Sequence, residues 1–398
     1  MKVLQLCLRV PFPPADGGSI AMHSMSTGLQ QSGIDVKVVA LNTFKHHVDI
    51  SQLPQWYREA YNIETCDVDT KVELIPAFLN LFQSGSYNIE RFNKPEFHKL
   101  LADLLLSDDY DIVQLESLFM TPYLDTIKKN SSAKIVLRSH NIENQIWHRL
   151  SGYEKNIFKK CYFSFLAKRL NMYEHAVVND YDGILTLTKE DEKQYHMMGC
   201  RKKMEVVPIG LDISKYPHKT NFDKINYFHL GSMDWLPNYE AVKWFLDHVH
   251  PLIVASGMKL PIFLAGKKMQ VEFKSLETDF LVVNAQIDDA ISYMDSKQVM
   301  IVPLLSGGGM RVKILEGMAM GKAVISTSIG AEGIGYTNNK NIIIADTPAQ
   351  FSEAMLKCYS DPGYCKYIGE NARTLVENLY SAKAIGSQVS QFYSELLK

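Results

Sequence analysis

The segment Val302–Gly333 reads VPLLSGGGMRVKILEGMAMGKAVISTSIGAEG, and its layout decides the fold. An apolar run ends at Leu305, the glycines Gly307, Gly308 and Gly309 turn the chain, and an amphipathic helix is expected from about Met310, stopped by Gly321. A strand feeding a helix through such a turn aims backbone N–H groups and the positive end of the helix dipole at one point beyond the strand's C-terminal end. That point suits a phosphate. Arg311 and Lys313 fall in the expected first turn, where two positive charges oppose the dipole unless an anion offsets them. Glu316, five residues after Arg311, stands about one and a half turns into the helix and can accept hydrogen bonds from ribose hydroxyls. The bland alternative is a flexible turn, a solvated Arg311 and Lys313, and a Glu316 at the surface.

Outward from this segment the same alternation continues. Strands are expected at 227–230, 261–265, 280–284, 299–304, 323–326 and 341–345, with helices between most of them. The first half opens with a strand at Lys2–Arg9, a helix at Ser19–Ser32 and a strand at Asp35–Leu41, followed by apolar runs at Asp111–Leu115, Lys134–Arg138 and Gly183–Thr188. Both halves therefore read as doubly wound α/β domains, each with a parallel sheet covered on two faces. The polar stretch Asp212–Asn226, which follows Val206–Gly210, reads as the interdomain linker. The tail Ala382–Leu397 places Ile385, Val389, Phe392, Tyr393 and Leu396 at helical spacing, so one face packs against a neighbouring surface.

A chain of 398 residues exceeds what one core usually serves, so two domains of roughly 150 to 200 residues are expected. With 46% hydrophobic and 22% charged residues it is neither disordered nor fibrous, and a net charge of −2 removes any global case for a nucleic-acid partner. The six cysteines form no CxxC and no paired spacing, which fits reduced thiols and a cytoplasmic protein. No metal-ligand cluster is evident. The run Val3–Val10, interrupted by Gln5 and Arg9, reads as a buried strand rather than a signal peptide. No apolar run approaches the roughly 18 to 20 residues that span a bilayer, so membrane contact is expected to be peripheral, on the cytoplasmic face. A candidate for such contact is Tyr153–Arg169, YEKNIFKKCYFSFLAKR, where Lys155, Lys159, Lys160, Lys168 and Arg169 alternate with aromatic residues. The competing reading, a core helix with snorkelling lysines, is the one adopted.

The Gly307–Gly321 stretch resembles the donor-site signature of GT-B glycosyltransferases, in particular family 4, or group 1. The resemblance implies two Rossmann-like domains facing a central cleft: 1–208 on the acceptor side, 209–379 binding the nucleotide sugar, and a helix at 380–398 crossing back to the first domain. It assigns the ribose to Glu316 and the diphosphate to Arg311 and Lys313, with Gly308 and Gly309 in the donor loop. Many members carry a further glutamate eight positions before Glu316, where this chain has Gly308, so the sequence resembles a subgroup lacking it. Phe228–Val249, FHLGSMDWLPNYEAVKWFLDHV, resembles the start of the second domain, with Ser232, Asp234 and Asn238 where other members place an Arg and a Lys.

In the first domain, VPFPPADGGS (Val10–Ser19) resembles the loop after the first strand, which makes Gly17 and Gly18 donor-binding candidates. An ordinary tight turn capped by Ser19 is the alternative. The segment VLRSHNIE (Val136–Glu143) ends a strand near His140, and family members place a histidine there, close to the donor sugar. His140 is therefore the catalytic candidate, hydrogen-bonding donor or acceptor; the bland alternative is a structural histidine. Thr186–Lys189 and Val206–Asp212 resemble the elements that close the first domain.

The activity implied is transfer of a sugar from a nucleoside-diphosphate donor to a glycan or lipid-linked acceptor, with retention and without a metal or other cofactor, in polysaccharide assembly. Competing readings are another GT-B activity such as nucleotide-sugar epimerisation, or a non-catalytic partner protein. A dinucleotide oxidoreductase is disfavoured because Pro13–Gly18 is not a GxGxxG fingerprint.

Overall fold

A computed structural model describes residues 1–14, 16–71, 85–154, 156–218, 221–284, 287–307 and 309–398. The chain divides into two compact units, Met1–Gly210 with Ala382–Lys398, and Leu211–Ser381.

The first unit is built on seven parallel strands: β1 (Lys2–Cys7), β2 (Asp35–Thr43), β3 (Glu64–Val68), β4 (Ile112–Glu116), β5 (Lys134–Ser139), β6 (Gly183–Thr186) and β7 (Lys203–Val206). Their order is β3-β2-β1-β4-β5-β6-β7, so the winding reverses between β1 and β4. Strands covered on both faces become nearly continuous apolar runs, as in Val36–Leu41, all but Lys37 of them apolar and the whole run buried. The sequence reading missed β3, whose residues Glu64, Thr65, Cys66 and Asp67 are polar or half-exposed at the sheet edge.

The register carries a polar row into this apolar sheet. Gln5 lies opposite Gln114, Cys7 opposite Glu116, and Glu116 opposite Arg138. Helix Gly17–Gln31 and the tail helix Ala382–Leu396 pack against each other in this unit through glycine. A Cβ on Gly386 would lie 1.8 Å from the Gly28 carbonyl oxygen, so only glycine allows this approach. Ile385, Val389, Phe392 and Tyr393 then join the core cluster of Val3, Cys7 and Met22.

The second unit has β8 (Tyr227–Leu230), β9 (Ile262–Ala265), β10 (Leu281–Asn284), β11 (Val299–Val302), β12 (Ala323–Ser326) and β13 (Ile343–Ile344). The order is β10-β9-β8-β11-β12-β13, parallel throughout, with its reversal between β8 and β11. Asp212–Asn226 is not the free linker its composition suggests. Phe222 and Ile225 are buried in the second unit's core, and Tyr216 reaches Glu316.

Two further expectations change. Helix Gly17–Gln31 begins two residues earlier than expected, and its N-cap is Asp16 rather than Ser19: Asp16 Oδ1 accepts from the Ser19 N–H, and Ser19 Oγ accepts from the Asp16 N–H. The basic aromatic helix, observed as Ile157–Val177, is a core helix only in its second half. Leu166, Ala167 and Leu170 are buried, whereas Ile157 through Cys161 are exposed; Lys155 and the side chain of Tyr153 lie outside the described residues.

Candidate active site

In an open parallel sheet, the loops leaving adjacent strands diverge where the winding reverses, and the crevice left between them is the usual ligand site. Each unit has one such point.

In the second unit it lies beyond β8 and β11. The loop after β11 turns at Gly307, with φ +105, and Gly309, with φ +81. The helix begins at Val312 rather than Met310 and runs to Ala319, with Arg311 at its N-cap and Gly321, φ +70, past its end. A Cβ on Gly307 would come within 2.9 Å of the Arg311 guanidinium and 3.1 Å of the Trp235 ring, so glycine is required by space as well as by φ. Arg311 lies over the Trp235 ring at 5.3 Å, and its Nη1 donates to the Gly309 carbonyl. Gly308 lies outside the described residues. Ser306 Oγ donates to Glu240 at 2.7 Å, tying the glycine loop to the helix that follows β8.

Glu316 is not the surface residue of the bland alternative; it is 7% exposed. Tyr216 Oη donates to its Oε1 at 3.1 Å, and Lys313 Nζ approaches Oε2 at 2.6 Å. Burial together with the Glu316 carboxylate pushes the Tyr216 phenol well up, so it stays protonated as a donor. One turn of helix thus carries the carboxylate and the cation beside it. Ser232, Asp234 and Asn238 bond among themselves: Ser232 Oγ donates to Asp234, and Asn238 Nδ2 donates to the Ser232 carbonyl. Asp234 also pairs with Lys268 at 3.1 Å. Trp235 and Lys268 were not singled out from the sequence. The only available signal was an aromatic residue and a lysine in loops at strand ends.

The reversal in the first unit lies beyond β1 and β4 and opens into a cavity of about 910 Å³ lined by Arg9, Gly18, Phe44, Arg91, Glu116 and His140 among others. A Cβ on Gly18 would meet the Arg9 guanidinium at 2.8 Å, whereas Gly17 has open space. Arg9 in turn pairs with Asp16.

His140 follows β5, and its Nε2 lies 2.6 Å from Glu116 Oε2. Glu116 is fully buried and also accepts from Gln5 Nε2 at 2.6 Å and from Gln114. Arg138 Nη1 stands 3.5 Å from the same carboxylate and donates to the Ala21 carbonyl at 2.8 Å. Burial alone would raise Glu116, but the Arg138 charge and the bonds from His140 and Gln5 outweigh it and hold the group below its ordinary value. An ionised Glu116 accepts, so His140 Nε2 carries a proton and donates to it, and the acceptor of an uncharged ring so held is Nδ1. Ser26 donates to Gln5 at 2.6 Å and Tyr393 of the tail helix donates to Gln114, which extends the network behind the histidine.

A second carboxylate on this cavity, Glu143, also escaped sequence reasoning. Burial and the neighbouring Glu174 push it up to about 7. Glu174 accepts from the Glu143 and Asn144 backbone N–H groups at 2.9 and 3.2 Å, closing the start of helix Glu143–Tyr153.

Residues 224–361, inside the second unit, match the family model for glycosyl transferases group 1. The chain carries a group 1 glycosyltransferase domain on a GT-B fold. This glycosyltransferase is 22% identical over 407 residues to an uncharacterised 44.6 kDa protein in the cps region of Klebsiella pneumoniae, covering 98% of each chain. Among solved structures it resembles sucrose-phosphate synthase from Thermosynechococcus elongatus, with TM-score 0.67 and 15% identity over 100% of this chain and 99% of that one. It also resembles Anabaena HepE in complex with UDP, with TM-score 0.64 and 12% identity over 99% and 100%. At such identities the structural likeness speaks to the fold. The described residues of the glycosyltransferase contain no helix long and apolar enough to cross a membrane.

Proposed function

We propose that the glycosyltransferase moves a sugar from a nucleoside-diphosphate donor to a hydroxyl of a glycan or lipid-linked acceptor in polysaccharide or glycoconjugate assembly, with retention and without a divalent metal. The observation that carries this reading is the pair of positive-φ glycines, Gly307 and Gly309, followed by Arg311 at the winding reversal of the second sheet, inside the matched domain. Breaking the anomeric bond leaves a growing negative charge on the diphosphate, and the catalyst must meet that charge with groups already in place. In this reading Arg311 and the helix dipole at Val312 supply it. Glu316, oriented by Tyr216 and Lys313, accepts from the ribose hydroxyls. On the first unit, His140 Nδ1 accepts from a sugar hydroxyl while Glu116 fixes the ring and the proton on Nε2. The HepE neighbour, solved with UDP, supports a nucleotide donor, and the cps-region relative supports polysaccharide assembly.

Thermal-shift screening against UDP-, GDP- and ADP-sugars tests the donor class. A ligand at a hundred times its Kd stabilises by about 2.7 kcal/mol, enough to read as a shift of a few degrees. The donor that shifts the protein is then incubated with and without acceptor, with EDTA present, and the product's anomeric configuration is read by NMR. No shift with any nucleotide sugar would remove the reading. An epimerised nucleotide sugar formed without acceptor would replace transfer with epimerisation.

A further inference from the structure

The first unit's cavity carries more positive charge than its own acids offset. Arg9, Lys45, Lys71 and Arg91 line it, against Asp16, Glu116 and Glu143. Each of those acids is already engaged. Asp16 pairs with Arg9. Glu116 faces the buried Arg138 guanidinium and accepts from Gln5 and Gln114 besides His140. Glu143, pushed up to about 7 by burial and Glu174, is in large part uncharged at neutral pH. Lys71 stands 3.5 Å from Asp69, an acid that does not line the cavity, and its ammonium lies 3.7 Å from the centre of the Phe44 ring. Lys45 and Arg91 have no carboxylate partner among the described residues.

Lys45, exposed on the loop after β2, is at home in water and by itself says little. Arg91 is different. Its Nε is sealed from solvent with no hydrogen-bond partner among the described residues, and burial draws the guanidinium below its ordinary value. Taking a cation out of water with no anion beside it costs free energy, so a guanidinium held this way in a cavity wall is half of an ion pair. His46, on the same wall, feels the excess. Burial and then the Arg9 and Lys45 charges hold its imidazole below the usual histidine value, against the opposing pull of Asp16.

We propose that the acceptor is a sugar bearing a negative charge, a phosphate or a carboxylate, held by the Arg91 guanidinium with Lys45 and Lys71 adding to the positive field, while a hydroxyl of the same molecule reaches His140. The inference rests on the transfer reading above and adds the class of acceptor to it. A guanidinium presents parallel N–H donors that match the paired oxygens of either anion. Phe44, 65% exposed, together with Phe92 and Phe119 gives the cavity aromatic surface for the apolar side of a sugar ring. Its volume of about 910 Å³ falls in the range of small-molecule sites, with room for a sugar and its charged group together.

The test is isothermal titration calorimetry of the full chain with glucose, glucose 6-phosphate, glucuronate and inorganic phosphate, which needs neither donor nor turnover. At least one of the charged sugars should bind at least about tenfold more tightly than glucose, with an advantage that shrinks as salt is added. Arg91→Gln and Lys45→Gln should each reduce that advantage several-fold. Lys45 is exposed, so its variant keeps the test open if urea unfolding shows that Arg91→Gln does not fold. The arms with glucose 6-phosphate and glucuronate distinguish phosphate from carboxylate. Charged sugars that bind no better than glucose overturn the proposal, and so does an advantage that survives both substitutions. Inorganic phosphate binding as tightly as glucose 6-phosphate would also overturn it, because the site would then hold an anion only. If Arg91→Gln weakens UDP and leaves the charged sugars unchanged, the guanidinium serves the donor diphosphate and the proposal fails. A chain that prefers charged sugars but transfers none would keep this site and lose the function proposed above.

Discussion

Arg311 and Glu316 sit on the same short helix and make different contacts, which separates their expected effects. Arg311 lies against Trp235 and the glycine loop, so Arg311→Ala removes a guanidinium together with its packing on the Trp235 ring. If it meets the diphosphate, calorimetry should show affinity for the nucleotide falling about 10- to 100-fold, the worth of one or two charge-assisted hydrogen bonds. Glu316→Ala should weaken binding similarly and also free Lys313 and Tyr216. Normal affinity and turnover in both variants would end the assignment. Glu143 gives a test that needs no substrate. Its folded-state value of about 7 lies above the ordinary 4.5, so the stability it contributes is fully present below about pH 4.5 and is lost as pH rises through 7. Glu143→Gln has no charge to bury. Its stability relative to wild type should therefore rise across that window by on the order of 3 kcal/mol, read by urea unfolding at pH 4.5 and 8. A pH-independent difference would show that Glu143 is not buried as an acid. Sequence reasoning singled out Arg311 and Glu316 from the glycine turn and the helix after it, and His140 from its place at a strand end and the family resemblance. It did not reach Glu116, which looks like any residue at a strand end until β1, β4 and β5 are set side by side.

At the scale of elements, the tail helix is open to disruption by a single change. Its apolar spacing at Ile385, Val389, Phe392 and Tyr393 was legible, because a helix buries one stripe whatever it packs on. The partner was not legible from that spacing. The contact depends on Gly28 and Gly386 meeting backbone to backbone, two residues 358 positions apart that no local pattern connects. Gly386→Ala should force the helices apart and lower stability by roughly 2 to 3 kcal/mol, measured by urea unfolding. A variant of unchanged stability would mean the crossing adjusts without cost. The stretch Asp212–Asn226 reads as a linker from its polar composition, although a chain segment can anchor by a few buried side chains such as Tyr216, Phe222 and Ile225; the strand β3 gives no apolar run to read, because an edge strand exposes one side.

Across the whole molecule, alternating apolar strands and amphipathic helices in both halves were enough to imply two parallel α/β units. Burial on two faces forces strands to be apolar along most of their length, and that constraint is visible in one dimension. The glycine turn and the charged helix after it were likewise legible, since φ values of +105 and +81 demand a residue type that the sequence names outright. The tertiary structure decided which strand ends stand together. It set Glu116 beside Arg138 and His140, and brought Tyr216 to Glu316 and Trp235 to Arg311. Sequence alone fixes what a residue can do locally, through its periodicity, charge and backbone freedom. Strand order and register are set by the packing of many distant side chains together, and for that reason the neighbours of Glu116 and Arg311 could be read only from the folded chain.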